Sequence, residues 1–384
     1  MHPCMSIPRA LRPHSAQELA EGMRAVQCAP LALLRREQSL AGRALGSKIS
    51  LPPPLKRFRL HRRHVLGVAF ARKSLITCSA DELYRVLEAA GDFAPRLTYA
   101  EHSDAVLGCM VVDERRVVTW SRDCSVKLWD LATGKTLRTF SHARPVRSAF
   151  VAADLLFTFS LPQTLSVFDL GASGAMPLRQ VGDFVRLASP LVVAMPYLVC
   201  GTFGAQLHVC ELTEDPRMPS FALAGHSRAI LAVAVDEEQP RSGSRLILSG
   251  SEDRTAILFD LDARAARLVL RGHTEAILSC AVSSRRARGM TCSADKTSRI
   301  WSLESGDCLM VLACSDSVTA GCFSATLALC GCADNSAILF DVSNGGVDAL
   351  ATLVQGAALV EGNRRSVLRG VPTEILRNVK SFLL

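Results

Sequence analysis

The sequence predicts an all-β chain in which seven related units close into a ring. Three observations carry this expectation: a repeat of the same segment, a tight turn at a fixed offset within it, and two-residue alternation beside that turn. The segment Val117–Asp130 (VVTWSRDCSVKLWD) reads as strand, turn and strand, and it recurs at Leu246–Asp260, Met290–Trp301 and Leu329–Asp341. In each copy the turn residue (Asp123, Asp253, Asp295, Asp334) stands six positions before a large apolar one. Weaker copies keep the offset from Asp81 to Leu87, Pro162 to Phe168 and Gly204 to Cys210. The seven end positions are 87, 129, 168, 210, 259, 301 and 340, giving steps of 42, 39, 42, 49, 42 and 39. Val126 and Leu128 alternate with Ser125 and Lys127, the period-two signal of strands. One such unit cannot bury both faces of a short sheet, so neighbours stack around an axis, and closure removes the exposed edges.

Composition agrees with a packed fold. The 384 residues are 49% hydrophobic, which excludes a mainly disordered or collagen-like chain. Aromatics are only 5%, so small and β-branched side chains build most of the core. Residues 1–64 hold twelve Lys/Arg against three Asp/Glu, a local +9, and the remaining chain sums to −1. Attraction to anions therefore starts from the N-terminal arm. The 14 cysteines are scattered without a Cys-x-x-Cys pair, and Cys330 and Cys332 have no neighbouring His to complete a zinc site. A reducing, intracellular location, cytoplasm or nucleus, is expected. The first thirty residues lack a continuous apolar core, so no secretory leader is expected. The stretch Leu187 to Val209 is long and apolar, but Pro190, Pro196, Gly201 and Gly204 interrupt it, which predicts buried strands and not a membrane span.

Upstream of most copies stands a histidine at a turn: His61, His102, His142, His226 and His273, the last two preceded by glycine. These residues resemble the WD-repeat family over roughly residues 55–341. The resemblance implies an all-β, seven-bladed WD-repeat β-propeller with short helical or irregular N- and C-terminal extensions. The expected domains are a basic, partly helical extension at 1–50, the propeller at 55–345, and a tail at 346–384 with an amphipathic helix at 372–384. The copy ending at Cys210 departs most, with Asp183 where His is expected and no turn Asp. Leu55–His61 looks like Leu137–His142, so residues 55–60 are expected to supply the outer strand of the seventh blade, in competition with residues 347–354.

His102, Thr119, Asp123 and Trp129 form one candidate constellation, and His273, Thr291, Asp295 and Trp301 another. A catalytic triad needs an accessible nucleophile beside an oxyanion hole. The resemblance implies instead a buried hydrogen-bond network that fixes each blade. No Gly-rich phosphate loop, His-Glu-x-x-His helix or Gly-x-Ser-x-Gly elbow occurs, so no enzyme, cofactor or metal site is expected. Positions that meet partners at the rim of this family match His64, Arg122, Arg147, Arg186, Phe203, Leu231, Glu252 and Leu278. Arg122, Arg147 and Arg186 fall on successive blades, and with Phe203 they suit an acidic or phosphorylated peptide. The plainer reading is three separate solvated arginines. Lys56–Arg63 is basic, but no basic-aromatic stripe continues through the blades, so neither nucleic acid nor membrane is the expected partner.

Ser15 to Ala29 reads as a helix with Ser15 and Glu18 as a capping box, and Pro30 permits a second from Leu31 to Leu45. At the other end, Val371–Leu384 resembles the opening helix of the F-box through Pro372, Glu374, Ile375, Leu376, Val379, Ser381, Phe382 and Leu383. The plainer reading of these fourteen residues is an amphipathic helix packed on the propeller. No Trp-Asp-x-Arg box is present, since Leu131 and Ala132 follow Trp129-Asp130. The expected function is a non-catalytic scaffold that binds proteins or peptides through its rim within an assembly. The alternative is a substrate-recognition subunit of a cullin-RING, F-box-type ubiquitin ligase, with the C-terminal helix as its adaptor contact.

Overall fold

The computed structural model describes residues 49–343 except 72–73, 89–92, 94, 153, 162–163, 173, 175, 182–186, 195, 213–219, 236–244 and 284–286. The described residues form strands and turns without a helix. The strands make seven antiparallel sheets of four. Blades 1 to 6 run from Val65 to Tyr99, Val106 to Ser141, Val146 to Val181, Leu187 to Ala224, Ile230 to Leu270 and Ile277 to Ala313. Blade 7 takes three strands from Val318–Phe323, Leu327–Cys332 and Ala337–Asp341, and its fourth from the far end of the chain. The uncharged stretch near residue 200 is three strands of blade 4, Leu187–Ala194, Tyr197–Thr202 and Gln206–Glu211.

Pro54–Phe58 closes the ring, pairing antiparallel with Ala337–Asp341, so that Phe58 faces Ala337 and Pro54 faces Phe340. Just before it, Ser50 donates its amide to Leu309 O at 3.2 Å and accepts the Val311 amide at 3.0 Å. The leading segment therefore runs first along the outer strand of blade 6 and then completes blade 7. Phe58 is 5% exposed and meets Phe93 of blade 1 edge-on at 5.6 Å, with Lys56 Nζ 5.5 Å from the Phe93 ring.

Seven apolar clusters fill the seven spaces between neighbouring blades. Between blades 6 and 7, for example, Met290, Ile300 and Leu312 meet Cys330, Ile338 and Phe340. Each middle strand is thus buried on both faces, which is why Leu246–Ser251 and Leu327–Cys332 carry no exposed position. The innermost strands adjoin one another around the axis, and the closest approach requires glycine. A Cβ on Gly67 would lie 2.9 Å from the Cα of Gly108, its neighbour in blade 2. The turn after the second strand is also uniform. Glu82, Cys124, Ala205, Arg254, Lys296 and Asn335 all take positive φ of 65–70° at the residue after the turn position.

Phe58→Ala should cost about 3 kcal/mol in urea unfolding of the whole chain, because it empties the contact that joins the two ends of the ring. A loss below about 1 kcal/mol would mean that the ring closes without this strand.

Candidate binding face

The loops carrying the histidines and the turns after each second strand lie at one end of the ring, called the His end below. In blade 2, His102 Nδ1 lies 2.7 Å from Asp123 Oδ2, and Nε2 lies 2.8 Å from Thr119 Oγ1. Trp129 donates its indole N–H to the same Thr119 oxygen at 2.7 Å. Blade 6 repeats this arrangement: His273 is 2.7 Å from Asp295 and 2.8 Å from Thr291, and Trp301 donates to Thr291 at 2.8 Å. The donors order themselves. Indole N–H gives to the threonine oxygen, the threonine O–H gives to Nε2 of a neutral imidazole, and Nδ1–H gives to the carboxylate. Thr119 and Thr291 are wholly buried, so neither hydroxyl is placed to reach a substrate.

The other blades use parts of the same set. His61 bridges Asp81 and Thr77 in blade 1, and His226 bridges Asp253 and Ser249 in blade 5. Leu87 and Phe259 stand where tryptophan would be and have no N–H to give. Blade 3 has no turn carboxylate, so His142 turns Nδ1 to the Phe140 carbonyl at 3.2 Å and keeps Thr158 at 2.8 Å. In blade 4, Thr202 braces the turn by donating to Gln206 O at 2.8 Å. In blade 7, Cys314 and Cys330 occupy the histidine and hydroxyl positions, and Asp334 accepts from Ser336 instead.

Sequence reasoning missed a second recurring member, a serine two residues before the turn Asp. Ser79, Ser121, Ser251 and Ser293 each accept the Asp amide at 3.1 Å. Each also donates to a carbonyl of the histidine loop, Arg63, Asp104, Arg228 and Glu275 respectively. Its signal was present as a fixed offset. The carboxylate in turn accepts the amide after the histidine, from Arg62, Ser103, Ser227 and Thr274. Every complete network therefore ties the incoming loop to the turn beside it and holds the His end in one shape.

Burial pushes the Asp295 carboxyl upward, but hydrogen bonds from His273, Thr297 and the Thr274 amide outweigh it and hold the group at about 2. Asp81 and Asp123 are also lowered, again against burial, by their histidines and nearby donors. Burial lowers His142, His226 and His273 below the ordinary imidazole value. Both effects have the same sign, because the unfolded chain binds protons that the folded chain refuses.

Among the rim residues singled out from sequence, Arg122, Arg147 and Glu252 are exposed, and Phe203 is 63% exposed. His64, Leu231 and Leu278 are half-buried at or just before the starts of the innermost strands of blades 1, 5 and 6. Arg186 lies outside the described residues, as do residues 344–384, which include Pro372, Glu374, Ile375, Leu376, Val379, Phe382 and Leu383. The expected helices at 15–45 also fall outside them. At the opposite end of blade 2 a shallow depression of about 390 Å³ is lined by Asp113, Glu114, Arg115, Arg116, Asp130 and Leu137. Its charges are already engaged, with Arg116 Nε 2.6 Å from Asp113 and Asp130 accepting the Ala132 and Thr133 amides. Among the described residues no group of three or more His, Cys, Asp or Glu is arranged to hold a metal, and no helix is long and apolar enough to cross a membrane. The described cysteines are all free thiols.

The family described as WD domain, G-beta repeat matches residues 218–260 and 266–302. Each matched stretch takes in the outer strand of one blade, in whole or in part, and ends on the third strand of the next, which is the offset that Pro54–Phe58 resolves at the seam. F-box/WD repeat-containing protein 9 of Bos taurus is 29% identical over 177 residues, 42% of this chain and 35% of its own. The small ribosomal subunit protein RACK1 of Schizosaccharomyces pombe is 34% identical over 91 residues, 22% of this chain and 28% of its own. A WD repeat-containing protein 55 homolog of Drosophila willistoni is 28% identical over 123 residues, 31% of this chain and 24% of its own. The chain spans only about a quarter to a third of the length of these relatives. The sevenfold ring, the His–Asp turns and these matches together describe a seven-bladed β-propeller that carries WD repeats. Propellers of this family bind other proteins in general, and the fold is generally non-catalytic.

Two outcomes follow. Asp295→Ala should destabilise the protein by about 1–3 kcal/mol, since His273 loses its buried acceptor, and an unchanged melting temperature would contradict the network. Stability should also fall as pH drops below about 6.5, where the unfolded histidines take up protons first, and again below about 4 for the carboxylates. Thermal melts from pH 8 to pH 3 check the sign, and a rise in stability on acidification would contradict it.

Proposed function

We propose that this propeller is a non-catalytic scaffold that holds partner proteins or peptides on its His end. The observation that carries the reading is the contrast between a locked frame and an open surface. The networks fix the loops and turns, while Arg122, Arg144, Arg147 and Phe203 stand exposed between them. No ion pair among the described residues uses these three arginines. A rigid presentation lowers the ordering cost of binding. The partner is a protein or peptide rather than nucleic acid or membrane, and an intracellular, reducing location suits the many free thiols.

A second reading is favoured by a separate observation. The F-box-like sequence of residues 371–384 and the similarity to an F-box/WD protein support a substrate-recognition subunit of a ubiquitin ligase. In that case Pro372, Glu374, Ile375, Leu376, Val379, Phe382 and Leu383 contact the ligase and the His end takes the substrate.

Affinity purification of the full chain beside Arg122→Glu/Arg147→Glu/Phe203→Ser tests the first reading. A partner set lost from the variant, with its melting temperature kept, supports binding at the His end; an unchanged set contradicts it. Removing residues 371–384 separates the second reading, which requires loss of ligase subunits while other partners remain.

A further inference from the structure

The innermost strand of every blade carries an irregularity at the same place. Pairing with the second strand skips one residue between Val65 and Gly67, Val106 and Gly108, Val146 and Ser148, Ile230 and Ala232, Ile277 and Ser279, and Val318 and Ala320. In blade 4 the break is wider, between Leu187 and Leu191. A bulge leaves one residue unpaired and re-aims its side chain. The skipped residues are Leu66, Leu107, Arg147, Leu231, Leu278 and Thr319. Their preceding neighbours, Val65, Val106, Val146, Ile230, Ile277 and Val318, are all fully buried. The four leucines and Thr319 are half-buried instead, and Arg147 is exposed.

Because the innermost strands adjoin one another around the axis, these bulges form a collar at the axial opening on the His end. The collar is apolar. Thr319 adds to this, since its hydroxyl donates to the Val65 and Gly331 carbonyls of the frame. Arg147 is the one charge among the six. The loops and turns outside the collar are uneven. Blades 1 to 3 expose Arg59, Arg62, Arg63, Arg122 and Arg144 there, against Glu82, Asp104 and Glu101, the last paired with Lys127 at 3.7 Å. Blades 5 and 6 expose Arg228, Arg254 and Arg271 against Glu252 and Glu275, and Lys296 pairs with Asp316 of blade 7 at 3.3 Å. Next to this sector Leu161 of blade 3 and Phe203 of blade 4 are 40% and 63% exposed.

We propose that the collar takes an acidic peptide segment that inserts one aliphatic side chain among Leu66, Leu107, Leu231 and Leu278 and sets a neighbouring anion on Arg147. The inference rests on the scaffold reading above and names the partner chemistry for it. An aliphatic side chain gains from burial among leucines, and the sector of arginines steers and orients an anionic chain. A basic segment would meet Arg147 with like charge at the centre of the site.

The test is selection of random dodecapeptides displayed on phage against the full chain, followed by anisotropy on the recovered sequences. Recovered peptides should concentrate Asp and Glu around a Leu, Ile or Met. Arg147→Glu should weaken them by at least about tenfold, and so should higher salt. Leu231→Asn/Leu278→Asn should do the same at an unchanged melting temperature, while Arg245→Glu at the opposite end should not. Resynthesis with phosphoserine or glutamine in place of the acidic residue separates the sources of the anion. Tighter binding of either the carboxylate or the phosphate form over glutamine supports the proposal and assigns the anion. Equal binding of the glutamine form overturns it. Recovery of basic or uncharged sequences, or of none that respond to Arg147→Glu, also overturns it. The scaffold reading is judged separately by the partner set of the full chain, so peptides of the wrong chemistry that still depend on Phe203 would sink this inference alone.

Discussion

Each blade carries apolar side chains on both faces of a four-stranded sheet, so no blade is stable without a neighbour on either side. That constraint sets the rest of the structure. It requires a ring, and the ring requires a seam. The seam falls between blade 7 and its borrowed strand, because the sequence repeat is offset by one strand from the structural blade. Pro54–Phe58 resolves the offset, and Phe58 against Phe93 ties the borrowed strand to blade 1 as well.

The polar networks answer a different need. Apolar packing between twisted sheets fixes distance but leaves turns free to vary, whereas a buried histidine with two directed partners admits one geometry. The two blades with tryptophan, 2 and 6, have the fullest sets, and blades 1 and 5 lack only the indole donor. Blades 3, 4 and 7 each replace members by backbone acceptors, hydroxyls or thiols. The frame at the His end is therefore most strongly specified near blades 1, 2, 5 and 6, while the exposed Leu161 and Phe203 belong to the turns of blades 3 and 4, which lack the carboxylate.

Much of the fold was legible because the physical signals are local. An aspartate six residues before a large apolar side chain marks a turn and a strand whatever the rest of the chain does. The seam was legible through likeness between Leu55–His61 and Leu137–His142, although the strand itself starts one residue earlier, at Pro54. The bulges were not legible. They follow from strand curvature around an axis and leave no mark in composition, so Leu66, Leu107 and Thr319 went unnoticed although Arg147, Leu231 and Leu278 did not. The turn serines were missed because serine is common in strands and turns alike, and only the carbonyl it reaches reveals its role. In blade 7, cysteines at the histidine and hydroxyl positions remove the network, while Asp334 and the strand Ala337–Asp341 kept the repeat legible.

The most direct test of the account is chemical cross-linking with mass spectrometry on the full chain in its native assembly. The two ends of the ring are separated in sequence as well as in space, so linked peptides report the end used. Links from partners should fall on the His end, in residues 62–66, 103–107, 122–124, 143–147 and 203–205. Links concentrated on the opposite turns, at residues 113–116, 131–135, 262–264 and 304–306, would contradict binding at the His end.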